Sequence, residues 1–397
     1  MKIGTVVFDD PFLAREGWAS DGSDPKRING HGELGSDTLW VTNVPFPKWR
    51  DLTLNNTSNI MHSQYMRSTI EHIAKELDII DDVQKTVVET AKIYNKAIEY
   101  GYDNYGIGIA TPGYRYTSIV ADKVFPSHMR STPNVAYRHR LLDAFKQSTQ
   151  ENQAMSNKKI PAGSSVYSFN MPRGSYGKWL LDQPVPIGKS WTEIKMSDSA
   201  TTIGIREHEM VKGTKSVLEK LLTMGQKNAV FLKVRITYTS KSHKDFATYA
   251  SGSNHNRGWV TLPELITLLK YCVIELHGGF MTELGPLNIL TDSMRLEEEH
   301  SYSKGIFMEN LWIALASPRH KDSYTGVGSY LRAYDRAMCF KVAEKLTLDH
   351  GITIGSYGAG RIQTYLREGE LSYAIEAGIE NCVLPQLFMK KGVDDES

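Results

Sequence analysis

The period of the apolar positions changes several times along the chain. Ile3 to Phe8 is a short apolar run closed by Asp9 and Asp10, which predicts a strand. From Ile60 to Leu77 the residues Met66, Ile70, Ile73, Ala74 and Leu77 recur at three- and four-residue spacing. Val83 to Tyr100 repeats the pattern with Val87, Ala91, Tyr94, Ala97 and Ile98. Both segments predict amphipathic helices, interrupted near Asp78 to Asp82 and stopped at Gly101. Between positions 101 and 200, Gly and Pro separate short alternating pieces, Val166 to Met171 and Trp191 to Met196, which read as strands. A helix expected over Glu207 to Leu222 leads through Gly225 into the clearest strand, Ala229 to Thr239. Helical spacing then dominates in Leu262 to Leu276, Gly305 to Ala316, Gly326 to Leu346 and Gln363 to Ala377.

A helix feeding a long strand, with helices again at the end, predicts an α+β fold. It has an N-terminal helical pair, a β-rich middle and a helical C-terminal third. The corresponding division is a strand and loop arm over 1–58, a helical region with a basic loop over 59–150, a β-rich middle over 151–260 and a helical region over 261–397. No repeat of 20 to 50 residues is visible.

Composition narrows the class. With 41% hydrophobic and 23% charged residues among 397, the chain is globular rather than disordered. Lys plus Arg number 46 against 45 acids, so the net charge of +1 excludes a uniformly basic nucleic-acid coat and leaves local basic surfaces open. Cys272, Cys339 and Cys382 lie far apart with no partner at zinc-site spacing, so neither a structural metal nor a disulfide framework is expected. The first residues lack the form of a secretory signal, and no window approaches the ~18 apolar residues of a membrane span. The expected location is cytoplasmic, or within a viral or ribonucleoprotein particle.

Motifs that carry chemistry are sparse. Gly355 to Arg361 lacks the lysine and serine of a phosphate-binding Walker loop and reads as a connection between helices. Its glycines, followed by Arg361, leave open an enzyme with an anion-binding loop at 355–361. Arg206, His208 and Glu209 read as an exposed helix start, and His62, Glu71 and His72 as the wet face of a helix. No catalytic residue, metal site or cofactor is expected, and the balance leans away from an enzyme.

Charge is more informative by segment. Arg115, Lys123, Arg130, Arg138 and Arg140 are interleaved with Tyr114, Tyr116 and Tyr137. In a second strip, alternation puts Phe231, Lys233 and Arg235 on one strand face, with Lys241 and Lys244 beyond. In a third, Arg332 and Arg336 lie four apart on a helix, offset from Tyr330 and Tyr334, so the tyrosines are expected to pack inward and the arginines to reach outward. Cations beside rings suit a groove that holds phosphates and stacks bases. The function expected on these grounds is a non-enzymatic, self-associating protein that coats single-stranded nucleic acid, in particular RNA. Such a protein is nucleocapsid-like or the backbone subunit of a ribonucleoprotein.

Two stretches resemble known families. Gly4-Thr-Val-Val7, Trp18 and Asp24 to Ile28 resemble the segment after the zinc ribbon in the transcription factor IIB family. Ile73 to Leu77 and Ala91 to Tyr94 are similar to its first cyclin-type helices. That resemblance covers about a quarter of the chain and implies, as the alternative, a DNA-binding factor. Thr202 to Arg206, the following helix and Ala229 to Thr239 are similar in order to a unit of the backbone subunits that coat guide RNA in CRISPR surveillance complexes.

Overall fold

The structure is a computed structural model. It describes residues 2–54, 59–62, 70–105, 125–149, 152–154, 162–171, 173–195, 201–206, 209–210, 212, 214–243, 258–288, 302–317, 324–367 and 369–381. The N-terminal sheet comprises β1 (Lys2–Phe8), β2 (Gly17–Ser20), β3 (Lys26–Ile28), β4 (Thr38–Thr42) and β5 (Ile60–His62), in the order β3-β2-β1-β4-β5. β1 runs antiparallel to β2 and parallel to β4. A short helix α1 (Phe46–Asp51) links β4 to β5, and α2 (Ile70–Glu76) leads to α3 (Val83–Tyr105), which packs across β1 and β2. Asn95 of α3 accepts the Ile3 N–H and donates to the Ile3 carbonyl, both at 2.8 Å. One side-chain amide thus continues the hydrogen bonding of the strand.

The helix expected over Ile60 to Leu77 is shorter than its periodicity implied. Ile60–His62 is an edge strand with Ile60 opposite Trp40, and the helix begins at Ile70; Met66 lies outside the described residues. The resemblance to the transcription factor IIB family is corrected in the same way, since α3 closes a five-stranded sheet instead of joining a helical repeat.

The middle of the chain supplies α4 (Arg138–Ser148), β6 (Asn152–Ala154), β7 (Ser164–Asn170), α5 (Arg173–Asp182), β8 (Val185–Pro186), β9 (Thr192–Ile194), β10 (Thr201–Arg206), β11 (Glu209–Met210), α6 (Thr214–Gly225), β12 (Asn228–Thr239), β13 (Trp259–Thr261), α7 (Leu262–Leu268) and β14 (Cys272–Gly285). The second sheet runs β11-β10-β14-β12-β13, with β8 and β9 also paired to β14. Two expected helices are corrected here. Glu209–Met210 folds back onto β10, so α6 starts only at Thr214. The segment Leu262 to Leu276 divides: Thr261 and Glu264 form a capping box that starts α7, and the chain is extended again from Cys272. Val273, Ile274 and Leu276 are all buried, and a strand covered on both faces reads as an apolar run that periodicity cannot tell from a helix.

The last third contains α8 (Tyr302–Ala316), α9 (Gly326–Leu348), β15 (Thr353–Gly358), β16 (Arg361–Arg367) and α10 (Leu371–Asn381). The helix expected over Gln363 to Ala377 is thus a strand followed by a later helix, and the expected helix-connecting loop at Gly355 to Arg361 is part of a β-hairpin. β15 and β16 join β6 and β7 in an antiparallel sheet of order β6-β15-β16-β7. α9 packs beneath β15 and is buried along most of its length, and α8 packs against α3, α5 and α9. One apolar core runs from Ile3 and Tyr94 through Trp312 and Leu331 to Ile362. The fold is α+β, with helices dominating the C-terminal third. Among the described residues no helix is long and apolar enough to cross a membrane.

Candidate functional site

The third sheet has two unlike faces. Ile354, Tyr357, Ile362, Thr364, Leu366 and Phe169 are buried toward the helices. The register sets the other face in rows: Gly358, Arg361 and Asn170; Ser356 and Gln363; Thr353, Tyr365 and Val166. Apart from Gly358, which is buried, these residues are half-exposed, and Val166 is 53% exposed. Along the inner strand β16 a guanidinium, an amide and a phenol therefore stand two residues apart on one face, about 7 Å from one to the next. Ser356 donates to Gln363 Oε1 at 2.7 Å and fixes the amide.

Gly355 is the extra residue of a β-bulge, since Ile354 faces Thr364 and Ser356 faces Gln363. The ring of Tyr365 lies over it: a Cβ at position 355 would stand 2.8 Å from Tyr365 Cζ. Only glycine lets the ring settle on the backbone there, so the bulge sets the position of the tyrosine.

The turn at the head of this sheet is tied from beneath. Ala359 and Gly360 both have positive φ, 54° and 61°, as a two-residue hairpin turn of the primed kind requires. Their N–H groups converge on one buried carboxylate: Ala359 N donates to Asp335 Oδ2 at 2.5 Å, and Gly360 N to Oδ1 at 2.6 Å. Tyr176 Oη donates to Oδ1 at 2.7 Å, and the Cys339 thiol adds a weak bond at 3.6 Å. Burial, reinforced by the Asp335 charge and Cys339, pushes the Tyr176 phenol well above its ordinary range, so it stays a donor. The Gly360 carbonyl accepts Met171 N at 2.7 Å. The anion that this glycine-rich turn gathers is a side chain of its own fold, and those two N–H groups are already engaged. Asp335, Tyr365 and the seat at Gly355 were not singled out from sequence. The alternation of Ile362, Thr364 and Leu366 was the available signal for the strand.

The basic strips fare differently. Arg115, Lys123 and Lys244 lie outside the described residues. Arg130 and Arg138 are half-buried. Arg140 is exposed, pairs with Glu193 at 2.5 Å and lies 5.6 Å from the centre of the Phe280 ring. Lys233, Arg235 and Lys241 are exposed, with Arg235 3.8 Å from Glu275. Phe231 does not share their surface. It is fully buried among Phe145, Trp191 and Tyr330, with ring centres 5.2 to 5.7 Å away, because the first half of β12 is covered on both faces.

The third strip is corrected outright, for Arg332 and Arg336 are 1% and 0% exposed. The Arg332 guanidinium lies 5.1 Å from the centre of the Trp312 ring. Arg336 donates through Nε and Nη2 to Glu264 Oε1 at 2.8 and 2.7 Å, and through Nη2 to the Ser148 carbonyl at 2.7 Å. Tyr330 is buried and bonds both backbone groups of Val230, and Tyr334 is half-buried and donates to the Pro184 carbonyl at 3.1 Å. Both sides of α9 face protein, so its arginines belong to the core, Arg336 as an internal hydrogen-bond donor and Arg332 against the Trp312 ring. Among the described residues no group of three or more His, Cys, Asp or Glu side chains is placed to hold a metal ion.

No family model matches the chain, and no curated protein matches its sequence. Among solved structures it is similar to Phi29 DNA polymerase complexed with primer-template DNA in its post-translocation binary complex, at 10% identity and a TM-score of 0.46. It is also similar to the ternary complex of that polymerase with incoming nucleotide, at 10% identity and 0.43, and to its complex with single-stranded DNA, at 9% and 0.43. Each match covers 91% of this chain and 80% of the other. The expectation of a non-enzymatic, self-associating RNA coat, nucleocapsid or structural protein is corrected: the third basic strip it drew on is core, and Phe231 of the second strip is buried as well.

Proposed function

We propose that the open face of the β6-β15-β16-β7 sheet binds nucleic acid. The observation that carries this reading is the line Arg361, Gln363 and Tyr365 on an inner strand, with the ring seated on Gly355. A cation meets a phosphate, an amide reaches base edges and a ring accepts a stacked base, which is how other antiparallel sheets hold single strands. A sheet backed by helices holds these groups at fixed separations more rigidly than a loop would.

Fluorescence anisotropy with labelled single-stranded DNA, primer-template DNA and single-stranded RNA tests the reading. Tyr365→Ala should weaken binding about tenfold, since one base-aromatic stack is worth about 1–3 kcal/mol. Arg361→Ala should weaken it and flatten the salt dependence by about one counterion. Unchanged affinity in a double variant that retains the thermal midpoint of the parent would overturn the assignment.

A further inference from the structure

We propose that Ser242 is a nucleophile for acyl transfer from carboxylic esters, activated by His243 and held ready by Glu344. These residues meet where β12 ends against the second half of α9, in a cluster separate from the open sheet face. A single helical turn over Lys241–His243 follows β12, and it is fixed to the residue before β14 by the bond from Ser240 N to the Tyr271 carbonyl at 2.8 Å. The His243 ring lies flat on the buried Tyr271 ring, with centres 4.4 Å apart and planes within 3°. Glu344 reaches from α9 to His243 Nε2 at 2.6 Å.

The carboxylate decides the tautomer. An ionised carboxylate only accepts, so Nε2 carries the hydrogen, and in the neutral ring Nδ1 holds the lone pair. Ser242 Oγ lies 2.8 Å from that nitrogen and donates to it. Ser240 Oγ stands 3.0 Å from the same nitrogen and 3.2 Å from Ser242 Oγ, and of the two serines Ser242 is the exposed one. His243 is 12% exposed at its side chain and Glu344 24%, so the base is sheltered while the hydroxyl it serves faces outward. Nucleophile, base and orienting carboxylate are in contact, which is the arrangement that activates a serine; the two ring nitrogens exchange the roles they have in chymotrypsin.

The reaction balances within these groups. Ser242 Oγ bonds to the ester carbonyl carbon as its proton passes to Nδ1, the bond to the leaving alcohol breaks, and the alcohol takes that proton. Water then gives a proton to Nδ1 as its oxygen bonds to the acyl carbon. The bond to Oγ breaks, Ser242 recovers the proton, and a carboxylic acid departs.

A fluorophosphonate probe reads the same nucleophile directly, because the serine oxygen bonds to phosphorus as fluoride leaves. Peptide mapping of the labelled full chain should place the adduct on Ser242, and Ser242→Ala should abolish it. His243→Gln should slow labelling at least about a hundredfold, the lower end of what a positioned base contributes. Glu344 acts through the ring as a positioning residue, so Glu344→Gln should slow labelling at an unchanged thermal midpoint, while Glu344→Asp keeps more of the rate. Labelling of His243→Gln at the parental rate, or none of the parent above the Ser242→Ala background, overturns the proposal. Binding of DNA by Ser242→Ala, read alongside, reports on the sheet face alone.

Discussion

Asp335 and Gly360 meet at 2.6 Å, carboxylate oxygen to backbone N–H, and through that contact a helix in the core fixes the shape of a surface hairpin. The same carboxylate holds Ala359, a residue with a side chain in the left-handed region, where an unsupported turn would favour glycine.

Asp335→Ala should be strongly destabilising. It leaves two turn N–H groups without their acceptor and the Tyr176 hydroxyl with a longer bond, 3.3 Å, to the backbone carbonyl at position 335, at about 1–3 kcal/mol for each donor left unmade. Urea denaturation should show a loss of at least about 3 kcal/mol. Hydrogen exchange should quicken first at Ala359 and Gly360. A stability within 1 kcal/mol of the parent would mean that the turn holds its shape unaided.

Removing one side of the buried Arg336–Glu264 pair should cost about 3–5 kcal/mol, because the remaining charge is left in the core. Glu264→Ala has the further effect of breaking the capping box of α7. Replacing both partners with apolar residues of similar volume should recover much of that loss. A single variant as stable as the double one, by calorimetry, would show that the charge is readily hydrated in place.

Gly355→Ala probes the bulge. The added methyl meets the far end of the Tyr365 ring, which can move aside, so stability should change by less than about 1 kcal/mol. The ring would then leave its seat, and affinity for single-stranded DNA should fall as it does for Tyr365→Ala. Full binding by Gly355→Ala would separate the aromatic contact from the bulge.

Cys272 should resist alkylation in the native protein. Burial pushes its thiol up to about 12, partly offset by a contact with Thr239. At pH 8 about one molecule in ten thousand then carries the thiolate that reacts. Labelling by iodoacetamide, followed by mass mapping, should therefore be slow at Cys272 in the folded chain, faster as the pH rises, and rapid in urea. Fast modification under native conditions would reveal local opening of β14.

The parts of the fold most legible in the sequence are those whose period is unambiguous. α3 follows Val87, Ala91, Tyr94 and Ala97 along one face, and β12 stands out as an apolar run ending in alternation. β14 was not legible: its apolar residues continue the spacing of α7, and only pairing with β10 and β12 separates them. The hairpin of β15 and β16 was hidden for a different reason, since Gly355, Gly358 and Gly360 resemble loop glycines until a bulge, a turn and a carboxylate give each a place. Arg332 and Arg336 show why charge strips mislead. Charge records what a side chain carries, whereas its direction is set by Trp312, Glu264 and the Ser148 carbonyl, which lie 20 to 188 residues away.

The pairing of β14 with β8, β9, β10 and β12 has a consequence for how the molecule is made. All four partners precede it in the chain, so a ribosome releases them before the strand they close upon. Until Gly285 has emerged, the nascent middle region holds β12 and its neighbours as open edges, a template for wrong pairings. Contacts that join Val185 to Gly285 also place folding toward the slow end for a chain of this kind. The time between synthesis of β8 and synthesis of β14 is therefore the interval in which these strand edges stand unpaired.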